Sequence, residues 1–156
     1  RHVFFDPSPI ADKIQKEKLI EAVKSTDTLI LNDREMGLVA TALGVESEPA
    51  SLIRLGAKRV VLKRGSDGCS IHTSKEMRDY PGFKVKVVDT TGAGDSFDAA
   101  IVYGILRGWN EADTATLANA VGAVKVGKKA AGRNVPTLEE VKALLAEHRK
   151  PLAARL

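Results

Sequence analysis

The sequence contains one cysteine and few aromatic residues. Cys69 is the only thiol among 156 residues, so the chain cannot form an internal disulfide, and we expect a reducing, cytoplasmic compartment. We expect Cys69 itself to be a small buried apolar residue. Aromatic residues make up 4% of the chain, which leaves few platforms on which the bases of a nucleic acid could stack. Nucleic-acid binding is therefore not expected.

Long hydrophobic runs are also missing. No stretch approaches the roughly 20 apolar residues of a membrane-spanning helix, and residues 1–6 lack the apolar core of a secretory signal. We therefore expect a protein that is neither exported nor embedded in a membrane. The chain opens without Met, inside a strand-like run, from which we expect a piece of a longer protein.

The charge of the chain favours a small anionic ligand. The formal net charge is +4, with a pI of about 9.2. Because the basic residues are scattered along the sequence, small phosphorylated molecules are favoured over nucleic acid. Hydrophobic residues at 44% and charged residues at 28% are ordinary values for one globular domain of this length.

Strand-like and helix-like patterns alternate along the chain. Short apolar runs predict strands at 3–5, 28–31, 59–63, 69–72, 77–80 and 85–88. Helical spacing, capping residues and terminal glycines predict helices at 16–25, 34–43, 49–55, 94–107, 111–126 and 138–148. Such alternation predicts an α/β domain with a mixed sheet, in which the last three strands form an antiparallel edge. We expect the tail beyond Pro151 to fray.

The run DTTGAGD, residues 89–95, joins a predicted strand to a predicted helix. Amides at a helix N-terminus bind anions, and glycines let a phosphate approach the backbone. Asp95 does not help to bind a phosphate, whereas an enzyme that activates a hydroxyl needs a proton acceptor at this place. Taken alone, Asp95 could equally be a first-turn acid that stabilises the helix dipole.

The longer run DTTGAGDSFDAA, residues 89–100, resembles the signature of ribokinase-type (PfkB) carbohydrate kinases. The resemblance implies a ribokinase-like three-layer α/β/α fold, of which this chain looks like roughly the second half. Residues 1–150 would form the nucleotide-binding and catalytic part and residues 151–156 a tail, without the sugar-binding half and its lid. The implied activity is ATP-dependent phosphorylation of a sugar hydroxyl, with Asp95 as the base and the amides of Gly92, Ala93 and Gly94 as the anion hole.

The same resemblance implies a magnesium site and a nucleotide site. Asn32 and Glu35 match an Asn-x-x-Glu element that would hold Mg²⁺ near the phosphates. Without the family, they would be a helix cap and a first-turn acid. Lys63, Gly65 and Gly68 look like the strand and turn that line the nucleotide.

Many proteins of this family also bind a potassium-like ion beside the anion hole. Asp89 and Thr91 match its first ligands. Further ligands would be backbone carbonyls near Lys125, Lys128 and Ala130. The chain departs from the family pattern at Asn134, where a serine often closes the site, and at Ala130, where glycine is common. Dependence on this ion is therefore left open.

Two further features have alternative interpretations. Asn119 is similar to a position beside the nucleotide base, but a satisfied polar group within a helix is an equal alternative. A basic cluster would either favour the nucleotide's charge or form a solvated face. Its members are Lys125, Lys128, Lys129 and Arg133.

Two other functions compete with a carbohydrate kinase. A dinucleotide-binding oxidoreductase would use Gly92 and Gly94 in its turn, but Phe97 stands in place of the third glycine. A module that binds nucleotide without catalysis is the second alternative. The expected partners are ATP and a sugar, which could be ribose, fructose, ketodeoxygluconate, a phosphosugar or a nucleoside. No nucleic acid or membrane is expected, and a homodimer is left open.

Overall fold

The computed structural model describes residues 1–130, 132, 134–148 and 150–156. The chain folds as two compact units. The first contains residues 1–64 and 69–79, and the second contains residues 65–68 and 80–156.

The first unit is built on a mixed sheet. Its strands are β1 (Phe4–Phe5), β2 (Thr28–Asn32), β3 (Arg59–Lys63), β4 (Cys69–Thr73) and β5 (Met77–Tyr80), in the order β1-β2-β3-β4-β5. The last residue of β5, Tyr80, belongs to the second unit. Strands β1, β2 and β3 are parallel, whereas β4 runs antiparallel to β3. The predicted mixed sheet is therefore confirmed.

Three α-helices and a 3₁₀ helix complete the first unit. They are a 3₁₀ helix at Ser8–Lys13, α1 (Lys16–Lys24), α2 (Asp33–Leu43) and α3 (Pro49–Leu55). Apolar residues from these helices join those of β2 and β3 in one buried cluster, which includes Leu19, Val23, Leu29, Leu31, Val39, Leu52 and Val60. Gly44 ends α2 at a φ of 72°, a left-handed conformation that glycine adopts at little cost.

The second unit is mainly helical. It contains a 3₁₀ turn at Gly65–Asp67, then α4 (Ala93–Leu106), α5 (Glu111–Val126), α6 (Leu138–Glu147) and a 3₁₀ helix at Pro151–Arg155. Helices α4 and α5 pack directly against each other. A Cβ atom on Gly104 of α4 would lie 2.6 Å from Oγ1 of Thr114 on α5, so only glycine permits this approach.

The predicted strand at 85–88 is wrong. Residues 81–92 form neither helix nor strand, and Val87 and Val88 are 60% and 46% exposed. The amides of Val88 and Asp89 instead donate to the carbonyl of Val126, the last residue of α5, at 2.7 and 3.1 Å. Apolar β-branched residues favour an extended backbone, but a strand also needs a neighbouring strand for its hydrogen bonds. Here a helix end supplies the acceptor.

The tail beyond Pro151 does not fray, contrary to expectation. It forms the 3₁₀ helix Pro151–Arg155, in which Leu152 is 2% exposed. Arg155 forms an ion pair with Asp113 of α5. Cys69 is fully buried, as expected. Within the part of the chain that the structure describes, no helix is long and apolar enough to cross a membrane.

Candidate functional site

In the first unit, polar residues lie at or just after the carboxyl ends of the three parallel strands, which meet at one edge of the sheet. Asn32 and Lys63 are the last residues of β2 and β3 and pair in register, and Asp6 directly follows β1. Open α/β sheets bind their ligands at the carboxyl ends of the strands. The predicted residues Asn32 and Lys63 therefore lie at the edge where such a site is expected.

Asn32 and Glu35 form a reciprocal cap at the start of α2. Oδ1 of Asn32 accepts a hydrogen bond from the amide of Glu35 at 2.9 Å, and Oε2 of Glu35 accepts one from the amide of Asn32 at 2.8 Å. This capping box satisfies two backbone amides that the helix itself cannot bond. It also holds the Glu35 carboxylate, on a residue that is 7% exposed, close to the sheet edge.

Lys63 links this cap to β1. Its ammonium nitrogen lies 2.8 Å from Oδ2 of Asp6 and 3.9 Å from Oε2 of Glu35. The Lys63 and Glu35 side chains are only 11% and 10% exposed, so the charges are partly removed from water. Asp6 was not among the residues predicted from the sequence, although a carboxylate directly after a predicted strand is a signal that could have identified it.

The donor atoms of this cluster are compatible with Mg²⁺. Asn32 and Glu35 offer oxygen atoms, which Mg²⁺ prefers, and Mg²⁺ is commonly bound by one or two carboxylates together with water and nucleotide phosphates. Among the described residues, no group of three or more His, Cys, Asp or Glu could hold a metal ion by itself. A carboxylate can accept about four hydrogen bonds, so the capping bond leaves Glu35 able to accept another from metal-bound water.

The two glycines of the predicted nucleotide turn have different surroundings. Gly65 has a φ of 57°, and a Cβ atom there would meet nothing within 4 Å. Gly68 has a φ of 93°, and its Cβ would lie 2.1 Å from the carbonyl oxygen of Tyr80 and 2.4 Å from the nitrogen of Gly82. Packing against the backbone of residues 80–82 thus explains Gly68, whereas Gly65 leaves open space in front of its backbone.

Asn119 contacts the same backbone segment. It is 6% exposed, and its side-chain nitrogen donates to the carbonyls of Tyr80 at 3.0 Å and Pro81 at 3.2 Å. The alternative of a satisfied helix polar group thus has a structural basis, since a buried amide needs partners. A role for Asn119 beside the nucleotide base stays a prediction.

The Asp89 carboxylate organises the turn that leads into α4. Its Oδ1 accepts from the amide of Thr91 at 2.9 Å and from the hydroxyl of Thr91 at 2.7 Å. Its Oδ2 accepts from the amide of Ala130 at 2.8 Å. The Thr91 amide, the Thr91 hydroxyl and the Ala130 amide, in that order, lower the pKa of Asp89 to about 2, with a smaller contribution from the charge of Lys125. The side chains of Asp89 and Thr91 are thus in contact, and their role as ligands of a monovalent ion stays a prediction.

The helix start that follows has the features of an anion site. Gly92 is the N-cap of α4 with a φ of 75°, and no side chain caps the helix there. The amide of Ala93 donates to the carbonyl of Thr90 at 3.1 Å, so one of the three predicted anion-hole amides is engaged within the turn. Asp95 lies in the first turn of α4 and is exposed to solvent.

Several residues of the predicted monovalent-ion site and basic cluster make side-chain hydrogen bonds within the chain. Lys125 is 1% exposed, and its ammonium donates to the carbonyl of Ala130 at 2.7 Å. The side-chain nitrogen of Asn134 donates to the carbonyl of Lys129 at 2.8 Å, and the Lys128 ammonium binds the carboxylate of Glu140 at 2.7 and 2.8 Å. Arg133, the fourth member of the predicted basic cluster, lies outside the described residues.

Comparison with known proteins gives the family of the chain. An ATP-dependent ribose-1-phosphate kinase from Halopiger xanaduensis is 38% identical over 127 residues, which are 81% of this chain and 41% of that protein. The crystal structure of a ribokinase from Thermotoga maritima has a TM-score of 0.82 at 33% identity, with 93% of this chain and 49% of that chain covered. An E. coli protein described as a ribokinase II, in complex with ATP and Mg²⁺, has a TM-score of 0.81 at 26% identity, with coverages of 94% and 49%.

These similarities confirm a ribokinase-like α/β fold. The chain spans 41% to 48% of the length of the first curated relatives that it matches, so it corresponds to about half of such a protein. Its sequence matches the pfkB family carbohydrate kinases over residues 1–138. Because the match covers well over half of its residues, the chain belongs to the pfkB family of carbohydrate kinases.

Proposed function

We propose that the protein to which this chain belongs transfers the γ-phosphoryl group of ATP to a hydroxyl of a sugar or nucleoside. The chain would supply the nucleotide-binding and catalytic residues. The observation that carries this proposal is the exposed carboxylate of Asp95 in the first turn of α4, directly after the turn at Gly92. A helix start attracts an anion, and a carboxylate beside it repels one. The carboxylate is therefore best explained by a role in proton transfer.

In the proposed reaction, Asp95 accepts the proton of the substrate hydroxyl. The hydroxyl oxygen forms a bond to the γ-phosphorus while the bond from that phosphorus to the β–γ bridging oxygen breaks, and ADP leaves with the electron pair. The amides of Gly92 and Gly94 stabilise the negative charge of the transferring group. The amide of Ala93 can join them by sharing its bond to Thr90.

The residues at the sheet edge are assigned to the charge of the nucleotide. Mg²⁺, when bound, neutralises phosphate charge and orients the phosphates. Asn32 and Glu35 would hold the metal and its water, and Lys63 would add positive charge. Asp6 restrains the Lys63 ammonium through the 2.8 Å ion pair. Gly65, with open space before its backbone, would admit the nucleotide.

The acceptor is proposed only as a class. The relatives described above are named for ribose 1-phosphate and for ribose, which supports a sugar or a sugar derivative as the acceptor. We expect residues outside the half of the family fold that this chain matches to select the acceptor. A module that only binds nucleotide is the second candidate, and in it Asp95 would only stabilise the dipole of α4.

Calorimetry on the monodisperse chain tests the proposal. Mg·ATP should bind with a Kd of roughly tens of micromolar to millimolar, equivalent to about 4 to 6 kcal/mol. Candidate sugars should give no comparable heat. Binding of NADH without binding of ATP would overturn the kinase proposal in favour of a dinucleotide site. If neither ligand binds, the chain is not an autonomous nucleotide-binding unit, and its family is unaffected.

A further inference from the structure

Lys125 is a buried lysine in the last turn of α5. It is 1% exposed and is among the largest side chains that are completely enclosed. A buried ammonium is costly unless hydrogen bonds and opposite charge compensate for the lost water. The chain supplies this compensation from the carbonyl of Ala130 at 2.7 Å and from the negative charge of Asp89. The carbonyl end of α5 adds a further favourable field.

Asp89 and Lys125 hold Ala130 from both sides. The amide of Ala130 donates to Oδ2 of Asp89 at 2.8 Å, and its carbonyl accepts from Lys125 at 2.7 Å. Ala130 has a φ of 56°, a left-handed conformation that is unfavourable for alanine because of its Cβ atom. The two contacts therefore hold a strained residue and connect the end of α5 to the turn that precedes Gly92.

The arrangement does not fit the monovalent cation that the family resemblance implies. A potassium-like ion needs several oxygen atoms that point at it and have capacity to bind it. Both Asp89 oxygens accept hydrogen bonds from Thr91 or Ala130. The Ala130 carbonyl accepts the Lys125 ammonium, and Asn134 directs its side-chain nitrogen at the carbonyl of Lys129. The Lys125 ammonium thus places a positive charge at the Ala130 carbonyl, near the Asp89 carboxylate, and this charge repels a cation.

We propose that the ammonium group of Lys125 takes the place of this cation, so that the Asp89 turn is held without K⁺. An ammonium group is a compact single positive charge with three donors, which suits a carbonyl and a nearby carboxylate. Lys125 is then a positioning residue, because it acts on the turn through Ala130 and Asp89. The inference predicts a protein whose stability does not respond to K⁺.

Thermal melting of the chain in KCl or in tetramethylammonium chloride, at equal concentration, tests this inference. Tetramethylammonium is too large for a potassium site but gives the same ionic strength. The melting temperatures of the wild-type chain should agree within about 1 °C. A bound ion would instead raise the melting temperature progressively with its concentration. A saturable stabilisation of the wild-type chain by KCl alone would overturn the proposal.

Substitution of Lys125 makes the test sharper. Lys125→Met leaves the Ala130 carbonyl without its donor and should lower the melting temperature by roughly 3 to 10 °C in tetramethylammonium chloride. KCl should restore part of this loss, because the Ala130 carbonyl has lost its donor and K⁺ can replace the missing positive charge near Asp89. The control is Lys129→Met, which removes the same charge from an exposed position in the same loop and should change neither value. A folded Lys125→Met variant whose melting temperature does not respond to KCl would contradict the proposal. If that variant does not fold, the KCl titration of the wild-type chain decides between the two outcomes.

The melting experiments test the role of Lys125 whether or not the proposed kinase function is correct. Calorimetry with Mg·ATP in the two salts adds a second readout that depends on that function. The Kd for Mg·ATP should agree within about twofold between the salts, since the turn needs no added cation. If no ATP binds in either salt, the proposed function fails while the melting result stands.

Discussion

In the first unit, the residues that we assign to the metal and the phosphates also hold the fold together, whereas in the second unit the proposed base does not. Asn32 and Glu35 cap α2 reciprocally, and Lys63 pairs with Asp6. Asp95 makes no side-chain hydrogen bond or ion pair with another described residue. Substitution of Asp95 should therefore lower turnover with little effect on stability. Substitutions of Asn32, Glu35 or Lys63 in the first unit should affect both ligand binding and stability.

Asp95→Asn should give the largest effect and the cleanest separation. In the full-length enzyme, loss of a proton acceptor is expected to lower turnover by about two to four orders of magnitude. The melting temperature of the chain should change by only about 1 °C, because the carboxylate makes no side-chain hydrogen bond or ion pair with any residue that the structure describes. Steady-state kinetics and thermal melting measure the two quantities.

Glu139→Gln is the matched control for Asp95→Asn. Glu139 is also an exposed first-turn acid, at the start of α6, and its loss should leave turnover unchanged. If Asp95→Asn keeps near-normal turnover and lowers the melting temperature as Glu139→Gln does, Asp95 only stabilises the helix dipole.

Gly68 and Gly65 lie in one turn, but substitution by alanine should cost more stability at Gly68 than at Gly65. Gly68→Ala would place a Cβ atom 2.1 Å from the Tyr80 carbonyl, in a backbone that cannot yield cheaply, and should cost about 3 kcal/mol or more. Gly65→Ala meets open space and should cost only about 1 to 2 kcal/mol for its φ of 57°. Urea denaturation measures both. Equal losses for the two variants would mean that the backbone of residues 80–82 does not restrict Gly68.

Glu35→Gln tests the coupling in the first unit. Glutamine keeps the capping acceptor but loses the charge, so the free energy of unfolding should fall by about 0.5 to 2 kcal/mol, and the concentration of Mg²⁺ needed for ATP binding should rise. The second unit offers a control in Glu140→Gln. Glu140 is the same third residue of a capping box, with Thr137, and it also contacts a lysine, Lys128. A similar shift in the Mg²⁺ requirement for both variants would remove the metal role of Glu35.

The elements with strong local signals could be predicted from the sequence. Strand β3 and helix α5 have the predicted bounds, because apolar runs and capping residues determine them within a few neighbouring positions. The segment at 85–88 has the composition of a strand and no strand beside it. Its amides bond to Val126, far along the chain, and a local pattern cannot reveal such a partner.

The candidate site could be predicted only in part. The resemblance identified Asn32, Glu35 and Asp95, and the roles of these residues stay predictions. The Asp6–Lys63 pair joins residues that are 57 positions apart, and no local signal connects them. Lys125 was considered for its carbonyl and its surface charge, yet its ammonium is buried, since burial of a lysine depends on the packing of the whole unit.

The smallest predicted effect is a difference in acid stability between two carboxylates, one in each unit. The pKa of Asp27 in the first unit is lowered to about 2, mainly by a hydrogen bond from Lys58 and also by the amide of Val3. The pKa of Asp89 in the second unit is also lowered to about 2, but by the neutral donors of Thr91 and Ala130 before any charge. Similar values thus have different causes.

Both carboxylates should support the fold above pH 4 and lose that support as the pH falls toward 2. The sign follows because a folded-state pKa below the ordinary value of 3.8 means that the folded state favours the ionised form. At about 1 M salt the Debye length is about 3 Å, so the contribution of Asp27, which depends on the exposed ammonium of Lys58, should shrink. The contribution of Asp89 should persist, because its main donors carry no net charge. Melting temperatures of the wild-type chain, Asp27→Asn and Asp89→Asn, recorded between pH 4 and 2 at low and high salt, measure this difference. Equal sensitivity to salt would mean that charge, and not the Thr91 and Ala130 donors, holds the Asp89 turn.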